Sequence, residues 1–435
     1  MLNNYPELVD ALKKCVRCGQ CRSVCPIFEV QKKESAAPRG RVFLTQMINY
    51  GEITPSPEVV QHIGNCLLCD ACAADCPSKL PVPRLMAIAR TYLAEHGYLK
   101  VKRSIFGKLW PNNSFLKTSI KMLRLYQQTG LRSIARGLGL IKLLPGDLSK
   151  TESMLGTISK KSAREQLGKL VSAKGDKKFR IGYFLGCATD LLYPDIAVAT
   201  VDVLTENGCE VIIPDQIQCC GMPQMANAAY DSTVALAKHN VDLLAQLDVD
   251  YIVSDCGTCT AILSSHGYTQ ILQGTPWEEK AKQVAAKVMD VNSFLIKKAD
   301  LKVPEVDMNI TLTYHDPCHM RHTLKVTKEP RELLTRIPGI TIKESATGCC
   351  GGAGTFVMSN FDLSMSILDK KIESVVGTNA DILATTCATC TMQLQFGLEK
   401  ADSGIYQPLI DFFCDTQIRN IEHALNLKPE PFVDS

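Results

Sequence analysis

Cys15, Cys18, Cys21 and Cys25 run up to Pro26, and Cys66, Cys69, Cys72 and Cys76 run up to Pro77. Both stretches read C-x2-C-x2-C-x3-C-P, and they lie 51 residues apart. In this spacing three close thiolates hold one iron-sulfur cube, while the fourth cysteine, past the turn, reaches the other cube. The pattern predicts one [4Fe-4S] cluster on Cys15, Cys18, Cys21 and Cys76 and a second on Cys66, Cys69, Cys72 and Cys25. A pair of zinc sites would close on four ligands without the triplet or the trailing proline.

Ten more cysteines form an internal repeat. Cys187, the pair Cys219 and Cys220, and Cys256 with Cys259 recur as Cys318, the pair Cys349 and Cys350, and Cys387 with Cys390, at offsets of 131, 130, 130, 131 and 131 residues. Adjacent cysteines are badly placed for a disulfide with each other and more naturally face one metal centre. Five thiols exceed a zinc tetrahedron's needs and suit an unusual iron-sulfur cluster; a four-thiolate zinc site and a bare redox dithiol are the alternatives. Cys209 and Cys414 have no counterpart one repeat away and read as ordinary buried thiols. His315 and His319 flank Cys318 in the second repeat alone, which favours a structural or hydrogen-bonding role over metal ligation.

These cysteines need elements to position them. Strand-like runs at 180–185, 251–254, 310–314 and 382–385 end at the cysteine groups, and helical stretches at 195–207 and 361–375 intervene. Each repeat therefore reads as a small α/β unit with a mainly parallel sheet, whose ligand sits beyond the strand C-termini. Gly221 and Gly351 let the backbone come close there. Between the two N-terminal runs, Arg39 and Arg41 precede a helical pattern through Val42, Phe43 and Met47. The arginines read first as a solvated turn and, more sharply, as charge compensation for anionic clusters. The fold class is an α+β and α/β multidomain chain: a helical two-cluster ferredoxin-like domain followed by two duplicated α/β domains.

Composition fits this reading. The 435 residues are 46% hydrophobic and 21% charged, which excludes a disordered, collagen-like or polytopic membrane chain. A net charge of +3 gives no argument for nucleic acid. The N-terminus carries Glu7 and Asp10 where a secretory signal needs an apolar core, so a cytoplasmic location is expected. In that compartment 20 cysteines point to metal or redox chemistry rather than disulfides.

From Lys100 to Lys142 there are ten Lys or Arg and no Asp or Glu. Helical periodicity places Phe115, Leu116, Ile120, Met122, Leu123 and Tyr126 on one side and Lys117, Lys121 and Arg124 on the other. That composition suits a helix lying on anionic lipid at the inner membrane face, with Trp110 as anchor, or equally a helix packed on protein. The Ser/Lys/Gly-rich stretch after Pro145 lacks strand character and reads as a linker with some helix.

The double ferredoxin run, the intervening APRGR, and the two motifs CCGMP and CCGGAG, each followed by C-x-x-C, together resemble the iron-sulfur subunit of glycolate oxidase. That family is similar to the electron-transfer parts of D-lactate and anaerobic glycerol-3-phosphate dehydrogenases, and its CCG half resembles the CCG-bearing subunit of heterodisulfide reductase. The resemblance implies a noncubane [4Fe-4S] cluster at each CCG repeat. It also implies a flavoprotein partner that carries FAD and oxidises a 2-hydroxy acid, with a quinone or other acceptor downstream. Both CCG sets are complete, which leaves catalytic reduction of a disulfide as the alternative. No G-x-G-x-x-G follows a strand, so neither dinucleotide binding nor hydride chemistry is expected of this chain. The expected division is 1–99 for the two-cluster domain, 100–178 for the basic segment and linker, 179–300 for the first CCG domain and 301–435 for the second.

Overall fold

A computed structural model describes residues 5–143, 147–154, 156, 158–303 and 309–405. Cys414 lies outside these residues.

Prolines punctuate the N-terminal part. Helices Pro6–Lys13, Pro26–Gln31, Pro38–Tyr50 and Pro57–Gly64 all begin on proline, whose missing N–H costs nothing in a first turn. The proline after the first cysteine run thereby starts a helix, and Cys25 caps it, its Sγ accepting from the Phe28 amide at 3.5 Å. Helix Val82–Glu95 is buried along nearly its whole length and forms the core against which the others pack.

Gly40, in the APRGR element, has no room for a side chain: a Cβ there would lie 2.1 Å from the Glu34 carbonyl oxygen. That oxygen is backbone and cannot swing away. Gly40→Ala is expected to lower stability by about 1–3 kcal/mol, the usual cost of overpacking. The check is an anaerobic urea titration, which should show a lower midpoint at unchanged slope.

The duplicated half builds two sheets. Strands β1 (Leu170–Val171), β2 (Phe179–Tyr183), β3 (Cys209–Ile212), β4 (Tyr251–Ser254) and β5 (Val288–Asp290) form the first, in the order β1-β3-β2-β4-β5. Only β1 runs antiparallel. Strands β6 (Ile310–Tyr314), β7 (Ile340–Ile342) and β8 (Ile382–Ala384) form the second, all parallel, in the order β7-β6-β8. The repeat is exact in register: Ile181 pairs with Val211 and Tyr251, and Leu312 pairs with Ile342 and Ile382, each 131 residues on. The 195–207 helix is observed as Pro194–Glu206 and the 361–375 helix as Phe361–Val376. The 146–178 stretch departs from its expectation by contributing β1, which extends the first sheet past β3.

The basic segment is helical at Lys100–Ser104, Asn113–Gln128 and Leu131–Gly137. Its amphipathic helix is oriented differently from the periodicity reading. Leu116 is buried, whereas Met122 (69% exposed), Leu125 (58%) and Phe115 (39%) face outward. Trp110 packs on Phe106 at 5.1 Å with its indole N–H buried, so it is not an outward anchor. Among the described residues no helix is long and apolar enough to cross a membrane.

Candidate iron-sulfur centres

Cys15, Cys18, Cys21 and Cys76 line one small crevice, of about 30 Å³, with Arg39 and Pro77. Cys18 is exposed. Cys66 and Cys72 are buried and Cys69 half-buried, and burial pushes the Cys69 thiol up to about 12, with Cys66 and Cys25 adding to the rise. Burial likewise holds the Cys72 thiol well above its ordinary value, with Cys66, Cys69, Cys25 and Cys21 adding to it. Cys25 thus acts on the second triplet and Cys76 lines the crevice of the first, while Cys72 also lines that crevice and Cys25 also raises Cys21, so the two runs lie side by side.

The arginines correct one expectation. Arg41 is 1% exposed, donates from Nε to the His62 carbonyl at 2.9 Å and places Nη1 3.9 Å from Cys25 Sγ. This is a buried cation beside a candidate ligand, not a solvated turn. Arg39 stays nearer the surface, paired with Glu34 and donating to the Arg17 carbonyl at 2.9 Å.

In the first repeat, Cys187 follows β2, Cys256 follows β4, and Cys219 and Cys220 precede the left-handed Gly221. Cys187 Sγ lies 3.8 Å from Cys219 Sγ. Hydrogen bonds from Cys219 and Cys259 hold the Cys220 thiol down at about 5 although burial opposes this. A Cβ on Gly186 would come within 3.1 Å of Cys259 Sγ, so the strand end leaves the sulfur its space. In the second repeat Cys350 Sγ lies 3.4 Å from Cys390 Sγ. Hydrogen bonds from Cys256 and Cys390 hold Cys387 well below its ordinary value. Burial raises Cys318, with Cys69 of the N-terminal part, Cys350 and Cys387 adding to the rise, and Cys69 and Cys318 line one cavity.

The two CCG sites meet. Across the seam between repeats Thr258 Oγ1 lies 3.6 Å from Cys387 Sγ, and the Gly257 amide donates to the Thr386 carbonyl at 3.0 Å. The residues fit an iron-sulfur group: each set supplies five cysteines, one more than tetrahedral zinc uses, and in each set one thiol, Cys220 or Cys350, is held below its ordinary value by hydrogen bonds from its cysteine neighbours. Beside Cys219, the fully buried Gln224 has an amide nitrogen with no acceptor, a spare donor of the kind that tunes a sulfur-rich group.

The histidines hold the second site in two ways. A ring nitrogen of His315 and the sulfurs of Cys350 and Cys390 lie within 4.8 Å of one another, and the ring is 1% exposed. His319 reaches the Leu68 carbonyl at 3.0 Å and Thr258 Oγ1 at 3.1 Å. Cys209 is fully buried in β3. Sequence reasoning named Arg41 but favoured a solvated turn for it, and it missed Thr258. The only available signal for Thr258 was its place between the cysteines of the first C-x-x-C.

Fold and sulfur geometry define an iron-sulfur electron-transfer protein. The family model of a 4Fe-4S dicluster domain matches 11–80, that of a cysteine-rich domain matches 181–264 and 312–395, and that of the glycolate oxidase iron-sulfur subunit linker region matches 100–155. The chain belongs to the glycolate oxidase iron-sulfur subunit family. It is 30% identical over 413 residues to a probable glycolate oxidase iron-sulfur subunit of Bacillus subtilis, covering 92% of both chains. Similarity extends to lactate utilization protein A of Halalkalibacterium halodurans, 33% over 218 residues, covering 49% of this chain and 88% of that protein. It also extends to a subunit of the fumarate reductase (CoM/CoB) of Methanothermobacter marburgensis, 27% over 431 residues, covering 96% of this chain and 72% of that protein.

Proposed function

We propose that this chain is the electron-relay subunit of a flavin-dependent 2-hydroxy-acid dehydrogenase, taking glycolate or D-lactate as the complex's substrate. A partner flavoprotein would hold FAD and oxidise the hydroxy acid. The relay here would use two [4Fe-4S] clusters, on Cys15, Cys18, Cys21, Cys76 and on Cys66, Cys69, Cys72, Cys25, and an iron-sulfur cluster on each CCG set. Such groups supply one-electron steps, splitting the pair that a flavin delivers. The chain's residues would hold them, exclude water by burial and supply cations such as Arg41 and Arg90. The divisions 1–99, 100–178, 179–300 and 301–435 belong to the same reading. The observation that carries it is the succession of sulfur sites: Cys72 shares a crevice with Cys15, Cys18, Cys21 and Cys76, Cys69 shares a cavity with Cys318 and Cys349, and Thr258 of the first CCG repeat stands 3.6 Å from Cys387 Sγ. In the assembled complex under anaerobic conditions, glycolate or D-lactate should bleach the iron-sulfur absorption. With the flavin subunit omitted the spectrum should stay unchanged, and bleaching by this chain alone would refute the reading.

The acceptor side is a lipid surface in this proposal, with a membrane quinone as acceptor. Val101, Met122, Leu125, Ile134 and Leu138 are each more than half exposed, an unusual run of outward apolar side chains, and Lys117 and Lys121 stand exposed among them. Apolar insertion together with attraction of about 1 kcal/mol per surface cation suits anionic lipid. The variant Lys121→Glu/Met122→Glu/Leu125→Glu should lose most co-sedimentation of the complex with anionic vesicles, and salt should weaken the wild type. Equal binding by variant and wild type, or no binding by either, would count against this placement.

Disulfide reduction at the CCG sites is the second reading. A cavity of about 360 Å³ opening on Cys318 and Cys349 favours it. It would show as thiol release from a small disulfide by the reduced protein.

A further inference from the structure

The two CCG sites are near-copies, yet they stand differently toward the N-terminal domain. The loop 66–70 is hydrogen-bonded to the second repeat through His319 and Thr323. Asp70 Oδ2 accepts from Thr323 Oγ1 at 2.6 Å. The Leu68 carbonyl faces His319 Nε2 at 3.0 Å and, being only an acceptor, requires the ring proton on that nitrogen. In the neutral ring Nδ1 is then an acceptor, and it takes the Thr258 hydroxyl at 3.1 Å. Thr258 Oγ1 lies 3.6 Å from Cys387 Sγ. A continuous chain of contacts therefore runs from the peptide between Cys66 and Cys69 to a sulfur of the second site. Leu68 and Asp70 both adopt left-handed backbone (φ 54° and 60°), as do Arg17 and Gly19 at the same places in the first cysteine run (φ 55° and 88°), so the loop presents the Leu68 carbonyl in a conformation that belongs to the cysteine run itself. Cys69 also lines the same cavity as Cys318 and Cys349.

The first repeat meets the same loop through Met222, Met225, Ala261 and Ile262, but it is Cys318 and Cys349 of the second repeat that share a cavity with Cys69. In the first repeat the counterpart to His319 is Ala188. Cys187 and Cys219 open instead on a crevice of about 30 Å³ lined by Leu116 and Lys117 of the basic amphipathic helix, with no N-terminal cysteine among its walls. The first site meets the second across the repeat seam, where Thr258, between Cys256 and Cys259, stands 3.6 Å from Cys387 Sγ and the Gly257 amide donates to the Thr386 carbonyl at 3.0 Å.

Building on the relay reading, we propose that the four sulfur sites act in a fixed line. The order is the Cys18 site, the Cys66–Cys69 site, the second CCG repeat and then the first, with His319 as the positioning residue at the junction between the two halves. The first CCG site is then terminal and lies beneath the surface proposed to meet lipid. Duplication has produced two centres with different neighbours, one an internal link and the other an outlet.

The test uses the full-length, anaerobically purified, iron-loaded protein. Cys220→Ser leaves only the second CCG site intact, and Cys350→Ser leaves only the first. With the N-terminal clusters reduced, electron paramagnetic resonance should show the second-site signal broadened and fast-relaxing in Cys220→Ser, and the first-site signal without that broadening in Cys350→Ser. His319→Leu should keep wild-type iron content while slowing electron exchange between the N-terminal and CCG signals by at least about tenfold, as small misplacements at a reacting junction do. His319→Gln retains a donor for the Leu68 carbonyl and should restore much of the rate. Broadening of the first-site signal instead of the second, or an unchanged rate in His319→Leu, would overturn the order while leaving the relay standing. Protein that holds no iron in any form would overturn the relay and the order together.

Discussion

Cys25→Ser is expected to strip the cluster of the second cysteine run while leaving the cluster of its own run in place. Cys25 stands among Cys66, Cys69 and Cys72, and Cys76 stands with Cys15, Cys18 and Cys21. Cys18→Ser should do the reverse. Each variant should lose roughly four irons and four sulfides relative to wild type, since a single cube leaves as a unit. The two losses should carry different spectroscopic signatures, because Cys18 is exposed whereas Cys66, Cys72 and Cys25 are buried. If Cys25→Ser and Cys18→Ser remove the same signal, the ligands are not crossed. If zinc is recovered in place of iron, both assignments are wrong.

The second large effect is expected at Arg90. Its guanidinium is buried in helix Val82–Glu95, and burial lowers its pKa to about 10. Nε donates to the Ile63 carbonyl at 3.1 Å and Nη2 to the Gly64 carbonyl at 3.0 Å and to the Cys66 carbonyl. Nη1 donates to the Ala226 carbonyl at 2.9 Å, in the first CCG repeat. One side chain therefore fixes the approach to the second cysteine run and ties it to the duplicated half. Arg90→Ala strands four buried carbonyl groups, and a loss of about 3–5 kcal/mol is expected. Arg90→Lys should recover little, because an ammonium cannot fork to carbonyls on two elements. Chemical denaturation of the two variants would measure both numbers. A loss below about 1 kcal/mol for Arg90→Ala, within the range of an ordinary surface change, would refute the role given to it.

Much of the architecture was legible because chemistry forced residue types into fixed spacing. The offset of the cysteines by 130 or 131 residues anticipates a strand register that repeats at 131, since a duplicated α/β unit must place its sulfurs at the same strand ends. The strands of 251–254 and 310–314 were recoverable from β-branched runs ending in cysteine. Arg41 was singled out but its burial was not recoverable. A guanidinium beside glycine in a Pro-Arg-Gly-Arg turn reads first as solvated, and only the packing of helix Pro38–Tyr50 against the His62 carbonyl reveals that it is the buried one of the pair. His319 and Leu68 are 251 residues apart, so no local pattern could join them. Periodicity located the 113–128 helix, but it cannot say which apolar side chains find a neighbour. Leu116 did, and Met122 did not. Residues Leu170–Val171 paired as a strand because the edge of β3 was free to receive them, a tertiary circumstance invisible in their own sequence.

The exchanged positions of Cys25 and Cys76 bear on how the protein is made. While the chain is being synthesised, Cys15 through Cys25 emerge 51 residues ahead of their counterparts. During that interval the first run already offers four thiols of its own, a complete but wrong set for one cube. A cluster delivered then would capture Cys25, leaving the later triplet short of its fourth ligand. Maturation thus has a correct hour, after Cys76 has left the ribosome and helix Val82–Glu95 has drawn the two runs together. Before that, a cell would do best to keep its cluster donors away from this chain.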